Sequence, residues 1–320
     1  MSARRIVALS GGIGGAKLSL GLYRVLPPGT LTVIVNTGDD FDHLGLRICP
    51  DIDTTLYTLA GLANTQLGWG RCDESWAFME ALAALGGETW FRLGDKDLAL
   101  HLERTRRLKG GETLSAFVAD VARRFGIHAA IVPMTDDPVR TRVGTVHGEL
   151  DFQDYFVRRR CEPQVTALRF EGAARAQPAP AARAALADPS LEAIIVCPSN
   201  PYLSVDPILA VPGIVEALRQ SAAPVIAVTP LVGGRAVKGP TAKIMAELDV
   251  PLSAAAIAEH YGNLLDGFVL DATDAALRGQ FSCALRVTDS VMVTLANRER
   301  LAREVLTFAR ELRPQAAARA

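Results

Sequence analysis

The chain has 320 residues, of which 49% are hydrophobic and 22% charged. That length allows one large domain or two coupled ones, and the composition excludes a disordered or fibrous chain. Thirty-four Lys and Arg balance 35 Asp and Glu to a net charge of −1. No long-range field exists to gather nucleic acid non-specifically. The cysteines Cys49, Cys72, Cys161, Cys197 and Cys283 are scattered without a CxxC pair, which suits a reducing compartment rather than a disulfide or zinc framework. The opening MSARRIVALSGG carries too short an apolar run for a signal peptide. No uninterrupted apolar stretch reaches the roughly 18 residues of a membrane span. A cytoplasmic protein, with neither membrane nor nucleic acid as partner, is expected.

Short apolar runs alternate with helix-like segments, the pattern of an α/β protein with a mostly parallel, Rossmann-like sheet flanked by helices. Arg5 to Leu9 reads as the first strand, followed by a glycine loop and a helix to about Leu26. Leu31 to Val35 reads as a buried second strand, and Asp53 to Leu62 as the opening of a helix. Further strands are expected at Ala129 to Val132, Ala193 to Val196, Pro224 to Val228 and Phe268 to Leu270. Helices are expected at Leu114 to Phe125, Ala254 to Tyr261 and Asn297 to Leu312. Ala173 to Pro189, rich in Ala, Pro and Arg, reads as a surface helix or loop within one sheet, and the tail 313–320 as frayed. The whole chain is expected to be a single large domain, with a smaller α/β insertion at about 90–170.

Ser10-Gly11-Gly12-Ile13-Gly14-Gly15-Ala16-Lys17-Leu18 stands between a strand and a helix, where backbone N–H groups and the helix terminus favour phosphate. It departs from the dinucleotide fingerprint, whose third glycine would fall on Lys17, and from the P-loop, since Lys17 is followed by Leu18. Asn36-Thr37-Gly38-Asp39-Asp40 follows the second strand, and Cys49-Pro50-Asp51-Ile52-Asp53 comes next. Ligands of open α/β sheets gather at the carboxyl ends of strands, so these aspartates are expected to face the glycine loop. Asp53 alone also fits as a helix cap. Together the four suit a hard cation such as Mg2+ bridging protein and phosphates. The five histidines show no zinc-binding spacing.

SGGIGGAKL, VNTGDDFDHLGLRICPDIDTTLY, LGDKDLALHL, VPMTDDPVRT, LDFQDYFVRRRCEP, CPSNPYLSVDPIL and KGPTAKIM resemble, in order, the 2-phospho-L-lactate transferase family of coenzyme F420 biosynthesis. The resemblance runs from about Arg5 to Leu312. It implies transfer of a phospho-acid (2-phospholactyl, enolpyruvyl or 3-phosphoglyceryl) from a guanosine-diphosphate-linked donor to the ribityl hydroxyl of Fo, 7,8-didemethyl-8-hydroxy-5-deazariboflavin. GMP leaves, and a partner guanylyltransferase supplies the donor.

The roles this implies are as follows. Asp40 and Asp53 serve as metal ligands and catalytic carboxylates, with Asp39 and Asp51 as alternates. Gly11, Gly12, Gly14, Gly15 and Lys17 hold the diphosphate; Ser199, Asn200, Pro201, Lys238 and Lys243 hold the guanine nucleotide. Asp51, Asp95, Lys96, Met134, Thr135 and Asp136 meet Fo, with Phe152 and Tyr155 as aromatic candidates. Lys96 stands where the family has arginine, a point charge for a bidentate fork, with Arg92 nearby. The resemblance also implies a homodimer. A nucleotide-sugar-binding regulator of the gluconeogenesis-factor type is the rival reading, and it leaves LGDKDLALHL, PMTDDPVRT and DFQDYF without a purpose.

Overall fold

A computed structural model describes residues 4–236 and 239–317. Its centre is a seven-stranded sheet in the order Ala284–Thr288, Gly267–Asp271, Val225–Val228, Leu191–Val196, Arg5–Ser10, Leu31–Val35, Ala130–Pro133. Every neighbouring pair is parallel. Parallel strands are buried on both faces, so alternate side chains feed two cores. Val7, Leu9, Ile194 and Val196 enter one core, and Ile6, Ala8, Ala193 and Ile195 the other.

The second core lies under the helices Gly12–Val25, Pro50–Ala60, Leu114–Arg124 and Leu295–Ala317. The first is covered by the helices Pro180–Leu186, Ile214–Gln220 and Ala254–Tyr261, and by a three-stranded antiparallel sheet of Arg140–Thr145, Gly148–Asp151 and Val165–Glu171. The chain winds outward from Arg5–Ser10 in one direction, then returns to build Leu191–Val196 on its other side. The order therefore reverses between these two strands. Their carboxyl ends open a crevice where ligands of such sheets bind.

Each expected strand lies in this sheet; the edge strand Ala284–Thr288 and the small antiparallel sheets escaped the sequence pattern. The expected insertion at 90–170 is interrupted, because Ala130–Pro133 within it pairs with Leu31–Val35 of the main sheet. The helix expected from Asp53 begins at Pro50, so Asp53 lies inside its first turn and caps nothing. The last helix continues to Ala317, five residues into the segment expected to fray. Ala173–Arg175 and Pro180–Leu186 are the helical turns anticipated there. Among the described residues no single helix is long and apolar enough to cross a membrane.

The first and last helices touch at Gly21, where a Cβ would lie 2.2 Å from the carbonyl oxygen of Arg298. Gly21→Ala gains helix propensity but forces these helices apart. It is expected to destabilise by about 1–3 kcal/mol, read as a lower urea midpoint; an unchanged midpoint would mean the contact yields freely.

Candidate active site

The crevice holds a cavity of about 720 Å3 with three chemically distinct walls. The first is the glycine loop, lined by Gly11, Gly12, Ile13, Gly14 and Lys17. Close approach explains its composition. A Cβ on Gly14 would stand 2.2 Å from the Pro198 carbonyl, and one on Gly15 2.6 Å from the Ser199 hydroxyl. The Ser199 hydroxyl donates to the Gly11 carbonyl at 2.8 Å and accepts from its N–H at 3.2 Å, locking the loop to the end of Leu191–Val196. Asn200 accepts from the N–H groups of Tyr202 and Leu203, the turn its sequence also suggested. Asn200 lines the cavity, and its amide nitrogen is buried with no hydrogen-bond partner among the described residues.

The second wall is acidic. Asp51 accepts from the Gly12 N–H at 2.7 Å and from the Asn36 side chain at 3.0 Å. The same Asn36 amide lies 3.4 Å from Asp39. Asp39 and Asp51 thus share one donor and both line the cavity. Burial, then repulsion from Asp51 and Asp40, pushes Asp39 well above the usual carboxylate range. Burial raises Asp51 to about 6. Such a pair is short of positive charge, which is the condition a hard cation relieves.

Deeper on this wall, Asp53, Asp97 and His101 bring one ligand atom each within 4.8 Å of one another, a set able to hold a metal ion. Arg104, fully buried, already neutralises part of it: its guanidinium bonds both Asp53 oxygens and donates to the Arg47 carbonyl at 3.2 Å. Tyr57 donates to Asp97 at 2.6 Å. Tyr57 and Arg104 carried no role in the sequence reading, whereas Asp97 belongs to the LGDKDLALHL segment singled out there and His101, in the same segment, reads as a structural histidine. Their signal was the i, i+4 spacing of Asp97 and His101 on one face of Asp95–Lys109.

The third wall is aromatic: Trp90, Phe91, Phe152, Phe156 and Trp69. Phe152 and Phe156 stack 5.3 Å apart at 18°. Arg92 enters here, its guanidinium 4.2 Å above the Trp76 ring.

Several expected site residues lie elsewhere. Asp40 faces away from the crevice and lines a second cavity. Asp95 instead holds the start of Ala77–Ala84, accepting from Ser75, Ala77 and Phe78. Lys96 is exposed outside the cavity, its N–H bonded to Glu74. Met134 is core, Thr135 bonds the Gln177 carbonyl, and Asp136 takes both donors of Ser115. These residues follow a strand, but that strand lies two places from the reversal point. Tyr155 is buried and Pro201 starts a buried turn. Lys243 turns to the Pro163 carbonyl and Glu247, leaving Gly239, Pro240 and Thr241 on the cavity wall. Lys238 lies outside the described residues.

Fold and site together define an α/β protein with a glycine loop and paired carboxylates at a sheet reversal. Residues 6–282 match the family described as 2-phospho-L-lactate transferase CofD, and the chain belongs to that family. It is 43% identical over 318 residues to a phosphoenolpyruvate transferase of Streptomyces coelicolor, covering 97% of this chain and 99% of that one. It is 38% identical over 307 residues to a 2-phospho-L-lactate transferase of Methanocaldococcus jannaschii, covering 95% and 97%. A crystal structure of a upf0052 family protein from Bacillus halodurans superposes with a TM-score of 0.64 at 14% identity, over 96% of this chain and 99% of that one. At that identity the likeness is one of fold.

Raised carboxyls bind protons more tightly in the folded chain, so they destabilise it as pH rises. Asp51 shifts from 3.8 to about 6 and Asp40 from 3.8 to about 7. In metal-free protein, Asp51→Asn and Asp40→Asn are each expected to gain stability relative to wild type as pH rises through that window. Urea midpoints measured against pH test this; a constant difference would contradict it. Arg104→Met leaves Asp53 buried without its guanidinium partner and is expected to cost about 3–5 kcal/mol, read in the same titration.

Proposed function

We propose that this chain moves a three-carbon phospho-acid from a guanosine-diphosphate-linked donor to the ribityl hydroxyl of Fo, releasing GMP. Family membership carries the coarse statement, a phosphate-group transferase of coenzyme F420 biosynthesis. The observation that carries the rest is the cavity itself, which runs from an anion loop past paired carboxylates to an aromatic wall. A diphosphate fits the first wall and a flat tricycle the third, which sets the acceptor hydroxyl between them. A regulator that bound only a nucleotide sugar would have no use for that aromatic wall.

In the transfer, the hydroxyl oxygen bonds to the phosphorus beside the acid while the bond from that phosphorus to GMP breaks. The hydroxyl proton passes to a wall carboxylate. Positioning and charge neutralisation are the main demands of such a displacement. Magnesium held by Asp39 and Asp51 would neutralise the diphosphate; their all-oxygen set suits it better than the Asp53, Asp97 and His101 group, which Arg104 already balances. Asp40 and Asp53 are replaced in this role by Asp39 and Asp51. Gly12, Lys17 and the Asn200 amide are the polar contacts for the donor, and Arg92 takes the place foreseen for Lys96 at the acceptor's edge. The homodimer and the cytoplasmic setting belong to the same reading, and light scattering checks the first.

Relatives named phosphoenolpyruvate transferase at 42% and 43% identity favour an enolpyruvyl donor. The test supplies purified protein with magnesium, Fo, GTP and a partner guanylyltransferase. It offers phosphoenolpyruvate, 2-phospholactate and 3-phosphoglycerate separately and follows Fo by mass spectrometry. Product with phosphoenolpyruvate is expected; product with another acid alone would reassign the donor, and none at all would refute the transferase. Asp39→Asn and Asp51→Asn are expected to lower kcat about 100-fold or more, with Asp40→Asn keeping most activity. The reverse ranking would return the metal to Asp40.

A further inference from the structure

Both ends of the Asn36 side-chain amide are committed behind the crevice. The residue follows the strand Leu31–Val35 and is wholly buried. Its backbone N–H donates to the Ser10 carbonyl at 3.0 Å, which extends the parallel ladder one step and fixes where the side chain starts. The side-chain oxygen accepts from the Gly38 N–H at 2.7 Å, closing the turn that presents Asp39. The side-chain nitrogen lies 3.0 Å from Asp51, 3.3 Å from the Leu203 carbonyl and 3.4 Å from Asp39. Chemistry excludes the reverse orientation, which would set the amide oxygen against two carboxylates and its nitrogen against an N–H.

Two amide hydrogens thus serve three acceptors. Asp51 belongs to the first turn of Pro50–Ala60, Leu203 to the buried turn Pro201–Val205, and Asp39 to the loop after the second strand. All three line the crevice, whereas Asn36 stands behind them. The chemistry of the donor matters as much as its place. Asp53 meets a guanidinium, which cancels its charge. A neutral amide orients Asp39 and Asp51 and leaves their charge for a ligand. A cationic side chain at this position would neutralise the pair and compete with a metal, and an apolar one would let the two carboxylates turn apart under the repulsion between them.

We propose that Asn36 is a positioning residue for the divalent cation, holding the Asp39 and Asp51 carboxylates in register with each other and with the turn at Leu203. It touches neither the cation nor the substrates and acts through the two acids. The inference rests on Asp39 and Asp51 being the cation's ligands. Groups that orient metal ligands from behind commonly change metal affinity by about 10–100-fold when they are lost.

The probe is Mn2+, titrated into the full chain without substrates and followed by the paramagnetic resonance of the free ion, with Mg2+ as competitor. Asn36→Ala is expected to weaken binding about tenfold or more. Asn36→Ser keeps a donor and should fall between that variant and wild type. Thr37→Val is the control, because the neighbouring hydroxyl is buried with no hydrogen-bond partner among the described residues. Its loss disturbs the same turn and removes no bond to a carboxylate, so the affinity should stay at the wild-type value. Equal affinity in Asn36→Ala and wild type, or an equal loss in Thr37→Val, would overturn the positioning role and leave the cation site standing. Should Asn36→Ala fail to fold, the comparison of Asn36→Ser with Thr37→Val decides. A wild type that binds no Mn2+ at millimolar concentrations, or an Asp39→Asn variant that binds it as well as wild type, would refute the cation site and the role of Asn36 with it.

Discussion

The Asp51 carboxylate ties the site together. One oxygen accepts from Gly12 at the mouth of the glycine loop, and the other from Asn36 at the end of the second strand. Asp51 itself rides on the first turn of Pro50–Ala60. Three elements distant in sequence thus meet at one group. Gly11 must lack a side chain for this to happen, since a Cβ there would stand 2.6 Å from the Asp51 oxygen. The glycine loop, the acidic wall and the Asn36 turn are therefore joined through one carboxylate.

That construction is electrostatically expensive. Asp39, Asp40, Asp51 and Asp53 are all buried, and burial is the first cause of the raised carboxyl in each. Among the described residues, only Asp53 of these four has an ion-pair partner, in Arg104 and His101. Unbalanced buried carboxylates weaken a fold unless something else binds them, and sites of chemistry are where such strain persists. The balance between Asp53 and Arg104 sorts the acids. Asp53 is already neutralised, whereas Asp39 and Asp51 share one neutral amide.

The cavity's two ends are built by different parts of the fold. Its polar end comes from the sheet reversal, which belongs to the fold, and the fold is what the distant Bacillus halodurans structure shares at 14% identity. Its aromatic end comes from segments outside the sheet, Trp90 and Phe91 before Asp95–Lys109 and Phe152 and Phe156 after Gly148–Asp151. A shared scaffold can thus serve different ligands by changing only what is hung beside it.

Much of the frame was legible in the chain itself. Apolar runs such as LTVIV and AIIV mark strands buried on both faces, and a glycine cluster after the first strand marks a backbone that something approaches closely. Hydrophobic period and glycine placement are local properties, so sequence order alone determined the parallel sheet, the glycine loop and the acidic character of the loops beside it. Which aspartate faces the crevice is a different kind of question. Asp39 and Asp40 are neighbours with the same chemistry, yet the turn sends them into separate cavities. Asp53 looks as available as Asp51 until Arg104, 51 residues away, closes on it. Direction and countercharge depend on contacts between segments far apart in the chain, and only the tertiary structure decided them.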